Sequence, residues 1–402
     1  MSVIRHITLP SGFIASGVTC GIKVSGKPDL AIVAGERDVS AAVVTTTNQV
    51  FGEPVRYCRS ILPTGCGVVR GIVINSGCSN VCTGTAGYKD AAAMAGLTAK
   101  KLGTSAGKVL VASTGIIGHR LPMDKIRRGI ASAADALGRD GDSDALHAIM
   151  TTDTRDKYAM VQTTIGGKLV HFGGIVKGSG MIAPSLATMI AVITTDTSVA
   201  PNVLNQALRA AVGVTFNGIT VDSDTSTSDT VCVLASGQAG NPPIKTARGA
   251  DYEHFAAALK EVCCHLARAV VIDGEGATKL VEIAVTGARS DAEAAVAAKS
   301  VANSPLFKCA VHGGDPNWGR IACALGKSSA KIDPAKLTIT VGGVTLFSRG
   351  AGRKFDLKKV TGHLAGKTIR VECDLGLGKG EFTALTCDLS REYIAINADY
   401  HT

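Results

Sequence analysis

The chain has 402 residues, 46% of them hydrophobic, and a net charge of +9 from 42 basic and 33 acidic side chains. That length exceeds what one hydrophobic core usually organises, so two subdomains in one body are expected. The basic residues are scattered, and the one tight cluster, at 125–128, has no aromatic neighbours to stack on bases, which argues against a nucleic-acid partner and is compatible with a small anionic substrate.

In chain order, β-rich runs are expected at 71–75, 109–113, 170–176, 281–285 and 338–341, and Ala-rich amphipathic helices at 90–102, 203–212, 252–269 and 291–303. Such interleaving predicts an α/β protein, and 47 glycines imply many tight turns. A boundary is expected just after the DGEG turn at 273–276, because the remainder reads as its own unit of strands and helices.

The opening MSVIRHITLPSGF has no apolar leader core, so the twelve cysteines read as reduced thiols of a cytoplasmic protein rather than a disulfide framework. The longest apolar stretch, 181–193, is interrupted by Pro184, Ser185 and Thr188 and is too short to cross a bilayer. Cys78 with Cys82, and the run Cys263, Cys264, His265, lack the paired spacing of a structural zinc site, so no metal is expected and these thiols read as small hydrophobes.

Three motif matches fail on context. GTSAG at 103–107 has the letters of a nucleophile elbow around Ser105, but it follows an expected helix and precedes an expected strand, the reverse of what the elbow needs. GSGMIA at 178–183 matches a loose dinucleotide pattern, with Asp196 at a suitable distance, yet Pro184 removes a backbone donor where the helix should already run. GHLAGKT at 362–368 separates its glycines by three residues where a phosphate loop needs four.

The segment 177–189, KGSGMIAPSLATM, combines a lone cation, flexible glycines, a rigid proline and Thr188 among small or apolar residues. A threonine hydroxyl is a poor nucleophile unless a base takes its proton, and a freed α-amino group on the same residue can be that base. Such an amine titrates near roughly pH 8 and is partly neutral under working conditions. This chemistry requires a cut before Thr188; on local sequence alone, the stronger reading is a threonine in an ordinary apolar helix or strand.

KGSGMIAPSLATMIAVITTDT at 177–197 resembles the signature of the ornithine acetyltransferase family, also called bifunctional glutamate N-acetyltransferase. Further stretches agree in order along nearly the whole chain: GVTCGIKVSGK at 17–27, NSG at 75–77, CTG at 82–84, VASTGIIG at 111–118, MTTDT at 150–154, DTST at 224–227, DGEGATK at 273–279, DPNWGR at 315–320 and NADYHT at 397–402. The resemblance implies a layered α-β-β-α-type sandwich shared with self-processing aminopeptidases, with a catalytic domain over 1–280 and a smaller C-terminal α/β subdomain over 281–402 whose tail returns to the active site.

It implies self-cleavage between Ala187 and Thr188, giving α and β fragments that stay associated, with a heterotetramer as the expected assembly. Thr188 would then be nucleophile and base in a ping-pong transfer of acetyl from N-acetylornithine to glutamate, a step of arginine biosynthesis. Thr114, through its hydroxyl, and Gly115, through its amide, would form the oxyanion hole. Thr151, Lys177, Thr188, Glu275, Asn397 and Thr402 would contact substrate, the cation and anion in this set suiting a zwitterion. No tightly bound cofactor is implied, and acetyl-CoA stays open as a second donor.

The chain departs from the family pattern at Cys78 and Ser79, where asparagine and alanine are usual, at Gly218 for arginine, at Ser223 for glycine and at Ser228 for asparagine. None of these is an implied nucleophile, oxyanion or substrate residue, but they leave the amino-acid donor and acceptor open. Alternative readings are a self-cleaving hydrolase of aminopeptidase type, a transferase for another N-acyl amino acid, and an uncleaved amino-acid-binding protein.

Overall fold

The computed structural model describes residues 5–183 and 189–399. Among these the strands form two sheets. The first runs Val109–Ile116, Cys66–Cys78, Leu30–Thr45, Thr230–Ala235, Ile190–Thr195, Lys168–Lys177, Tyr158–Ile165, with Phe13–Val18 also paired to Leu30–Thr45. The second runs Ala351–Gly352, Val344–Ser348, Thr338–Val341, Thr368–Asp374, Leu280–Ala288, Gly380–Cys387, Ile219–Thr220.

The first sheet is covered on both faces, which is why its central strands read as unbroken apolar runs rather than alternating ones. Ile190, Val192, Cys232 and Leu234 point to one side, where they pack with Met94, Ile126, Ile130 and Leu146 of the helices Gly84–Lys101, Met123–Asp135 and Asp142–Ile149. Their neighbours Ala191, Ile193, Val231 and Val233 point to the other, against Leu204 and Leu208 of Pro201–Val214 and Phe255, Leu259, Val262 and Leu266 of Ala250–Ile272. The last four recur at steps of four, three and four residues, the stripe one helix face presents to a core.

That second cluster also takes in Ile219, Leu280 and Cys387 from the other sheet, so the two sheets share a helical layer. The second sheet has a core of its own beyond it, in which Ile283, Val285, Ile339, Val371 and Ala384 pack with Ala297, Val301, Phe307, Ile321 and Leu325 of the helices Asp291–Ala302, Pro305–Gly313 and Trp318–Gly326. The architecture is the layered α/β sandwich that the resemblance implies. Each β-run and helix read from the sequence falls within an observed strand or helix, give or take an end residue.

The rejected motifs sit as their context indicated. Ser105 lies between helix Gly84–Lys101 and strand Val109–Ile116, and 362–368 runs from the helix Leu357–Leu364 into the strand Thr368–Asp374. All twelve cysteines are free; Cys263 is buried while Cys264 is exposed, and Cys78 is buried while Cys82 is exposed. Among the described residues, no helix is long and apolar enough to cross a membrane.

Candidate active site

Thr114 and Gly115 lie near the end of strand Val109–Ile116, and Lys177 ends strand Lys168–Lys177. Four strands separate these two in the sheet, about 24 Å of lateral spacing, and the registers align them with opposite ends of Leu30–Thr45, so a flat sheet would hold them farther apart still. Instead the Lys177 ammonium donates to the Thr114 hydroxyl at 3.2 Å, both side chains being buried. The sheet therefore curls back on itself, and the register shift between Ala34 and Val39 in the long strand Leu30–Thr45 is the irregularity that lets it bend.

Gly115 has φ +123°, and a Cβ there would stand 2.4 Å from the carbonyl carbon of Gly77 on the paired strand. The close backbone approach is therefore reserved for glycine. Thr114, Gly115, Thr151, Lys177, Glu275 and Asn397, from five separate stretches of chain, all line one cavity of about 250 Å³. Ala187, Thr188 and Thr402 lie outside the described residues.

Three carboxylates hold the segments that lead into the cavity. Asp153 accepts from the backbone amides of Thr151 and Gly178, both at 2.7 Å, and from Lys157. Its complete burial opposes ionisation, but Lys177 and Lys157 outweigh that and keep it charged, with a pKa lowered to about 2. Asp222 accepts from the amides of Met181 and Ile182 at 2.6 and 2.8 Å, and burial raises its pKa to about 6. Asp229, fully buried, accepts from the amide of Met189 at 2.8 Å; burial pushes it well above the usual carboxylate range, against the pull of that hydrogen bond and of Lys177. The residues flanking 184–188 are thus tied to Asp222 on one side and Asp229 on the other.

Lys177 is itself completely buried, which lowers its pKa, while Asp153, Glu275 and Asp229 favour its charged form. Glu275 reaches the cavity from the DGEG turn, its amide donating to the Ser179 carbonyl at 2.8 Å. Its carboxylate lies directly over Gly180, where a Cβ would meet Oε2 at 2.3 Å. Asn397, on the last described helix, Arg391–Asp399, donates to Glu275 Oε2 at 3.0 Å. A buried cation, a carboxylate and a hydroxyl–amide pair around one small cavity suit a zwitterionic amino-acid derivative with a reacting carbonyl.

The cavity also contains Asp222, Asp224, Ser226, Thr227 and Tyr393, which sequence reasoning did not select as site residues. The first four belong to a short polar run at 222–229 whose density of small oxygen-bearing side chains was a usable signal; Tyr393 carried none. Among the departures from the family pattern, Ser79 and Ser228 line the cavity. Cys78 is buried behind it, bonding the His119 carbonyl, and Gly218 faces Phe382 and Thr383 of the second sheet. Ser223 has φ +67°, the left-handed region that favours glycine, which accounts for the glycine usual at that position.

A family model described as the ArgJ family matches residues 14–402. The arginine biosynthesis bifunctional protein ArgJ of Synechocystis sp. is 44% identical over 406 residues, covering 99% of this chain and 98% of that protein. The protein of the same name from Geobacillus kaustophilus is 44% identical over 397 residues, covering 98% and 96%. Among solved structures, the crystal structure of arginine biosynthesis bifunctional protein argJ from Bacillus halodurans aligns with a TM-score of 0.50 and 40% identity, covering 52% of this chain and 97% of that one.

Proposed function

The chain belongs to the ArgJ family, and from that premise we propose that it is an acetyltransferase of arginine biosynthesis that moves acetyl from N-acetylornithine to glutamate through an acetyl-threonine intermediate. The observation that carries this reading is the convergence of Thr114, Gly115, Thr151, Lys177, Glu275 and Asn397 on one cavity. Nothing in their spacing along the chain requires them to meet.

In this reading the Thr188 hydroxyl first attacks the Ala187 carbonyl, the peptide C–N bond between them breaks with the hydroxyl proton passing to the freed α-amine of Thr188, and water then hydrolyses the ester to leave a carboxylate on Ala187. In the mature enzyme that amine takes the hydroxyl proton as Thr188 attacks the acetyl carbonyl of N-acetylornithine. The Thr114 hydroxyl and Gly115 amide face the developing oxyanion, and ornithine leaves with the proton. Glutamate then takes the acetyl by the same steps in reverse. Lys177 binds the substrate carboxylate, while Glu275, held by Asn397, binds the distal ammonium of ornithine.

The hydrogen bond from Asn397 to Glu275 supports a C-terminal subdomain over 281–402 whose tail returns to a catalytic domain over 1–280. The word bifunctional in the relatives' names supports acetyl-CoA as a second donor for glutamate. We further place the enzyme in the cytoplasm, as a heterotetramer of two α and two β fragments.

Labelled acetyl on N-acetylornithine tests the reaction: label in N-acetylglutamate supports it, and free acetate alone would make the protein a hydrolase. Thr188→Ala should abolish both the fragment beginning at residue 188, seen by intact mass, and the transfer. A Thr188→Ala protein that transfers acetyl at the parent rate overturns the assignment of the nucleophile.

A further inference from the structure

Behind the cavity lies a knot of buried charge. Lys157, with its side chain 1% exposed, sits between Asp153 at 2.7 Å and Asp273, whose side chains are 0% and 2% exposed. Asp153 holds the amides of Thr151 and Gly178; Asp273 holds the amide and hydroxyl of Thr154 and lies two residues before Glu275. A hydroxyl pair, Thr152 with Ser179 at 2.6 Å, joins the same segments. Three strips of chain that each carry a cavity residue are therefore fastened to one ion cluster, and Lys157 itself does not line the cavity.

We propose that Lys157 is a positioning residue of the acetyl-transfer site: it neutralises Asp153 and Asp273 together with Lys177, so that Lys177 stays aimed at Thr114 and the substrate instead of collapsing onto the carboxylates. Two ammoniums and two carboxylates cancel. Remove Lys157 and two buried carboxylates share one cation, an excess charge that burial makes costly. The cluster relieves it by drawing Lys177 inward or by binding a proton more readily, and both raise the pH at which the site titrates. The titratable groups that Lys177 faces are Asp153, Lys157, Glu275 and Asp229, and its charge also acts on Lys23.

The proposal rests on the acetyltransferase reading, and the parent enzyme's own transfer of acetyl to glutamate checks that reading first. A parent that transfers none overturns the function, and the role of Lys157 with it. Lys157→Met, Asp273→Asn and the double variant are then compared with the parent in kcat/KM from about pH 6 to about pH 10. Lys157→Met should shift the profile up by about one pH unit and raise KM about tenfold, Asp273→Asn should shift it down, and the double variant should return close to the parent.

A purely structural role would lower Tm in all three without opposite shifts. Shifts in one direction, no shift, or a double variant as displaced as Lys157→Met overturns the proposal. If Lys157→Met does not fold, the charge-balanced double variant decides: a parent-like profile supports the proposal, and a displaced profile or an unfolded protein overturns it.

Discussion

Gly180→Ala should displace the Glu275 carboxylate with little disturbance elsewhere. A Cβ at Gly180 would stand 2.3, 2.4 and 2.6 Å from Oε2, Cδ and Oε1 of Glu275, so the whole group, not one oxygen, must retreat by about 1 Å to reach ordinary contact. The Asn397 hydrogen bond, 3.0 Å long, would then open to about 4 Å and be lost. The atoms struck are the end of a flexible side chain, so the fold should tolerate the change. A charge-assisted hydrogen bond contributes about 1.5–3 kcal/mol, so kcat/KM for N-acetylornithine should fall about tenfold to 150-fold. The assay is steady-state ornithine release at fixed glutamate, with Tm measured in parallel and Glu275→Gln for comparison. Parent-like kinetics in Gly180→Ala would refute the argument that Glu275 acts from the position seen here. So would a large fall in Tm with unchanged kinetics.

Three further outcomes follow from the geometry. Thr114→Val keeps the shape of the side chain but removes the hydroxyl beside Lys177, and single-turnover acetylation should slow by about a hundredfold or more. Ser223→Gly relieves a left-handed backbone at φ +67° and should stabilise the protein by about 0.5–1 kcal/mol, read as a higher urea midpoint; a lower midpoint counts against the strain. Asp222 binds its proton more tightly folded, at about 6, than at the ordinary 3.8, so it stabilises the fold at low pH and that contribution is lost as pH rises through about 6. Discounted for its partial exposure, the effect is about 1–2 kcal/mol, and the difference in stability between parent and Asp222→Asn should change by that amount between about pH 4 and about pH 7.

Parts of this molecule were legible before any coordinates. The apolar stretch after Thr188 could have been helix or strand on local sequence; Ile190–Thr195 is a strand buried on both faces, which explains why it has no helical stripe and no alternation. Ser105 lacks the context of a nucleophile elbow, which must run from strand to helix, and the observed elements run the other way. The ordered motifs led to Thr114, Lys177, Glu275 and Asn397 as residues of one site, although hundreds of positions separate the first from the last. What stayed hidden was the contacts that surround that site, each made with a partner distant in sequence. Gly180 looked like one more flexible glycine until Glu275 was seen lying over it. Lys157 belongs to no motif in the sequence, and only the structure shows it enclosed by Asp153 and Asp273.

The division has a physical cause. Where periodicity is clear, element type and buried face are set by neighbours within a few residues, as are the kinds of chemistry on offer, and the sequence by itself determined them. Which of those groups meet is set by sheet curvature and by loops closing over long separations. Curvature of the first sheet brings Lys177 to Thr114, and the last described helix brings Asn397 to Glu275. Only the tertiary structure decided that a scattered set of ordinary residues would share one cavity, and that an ion cluster behind it would hold them there.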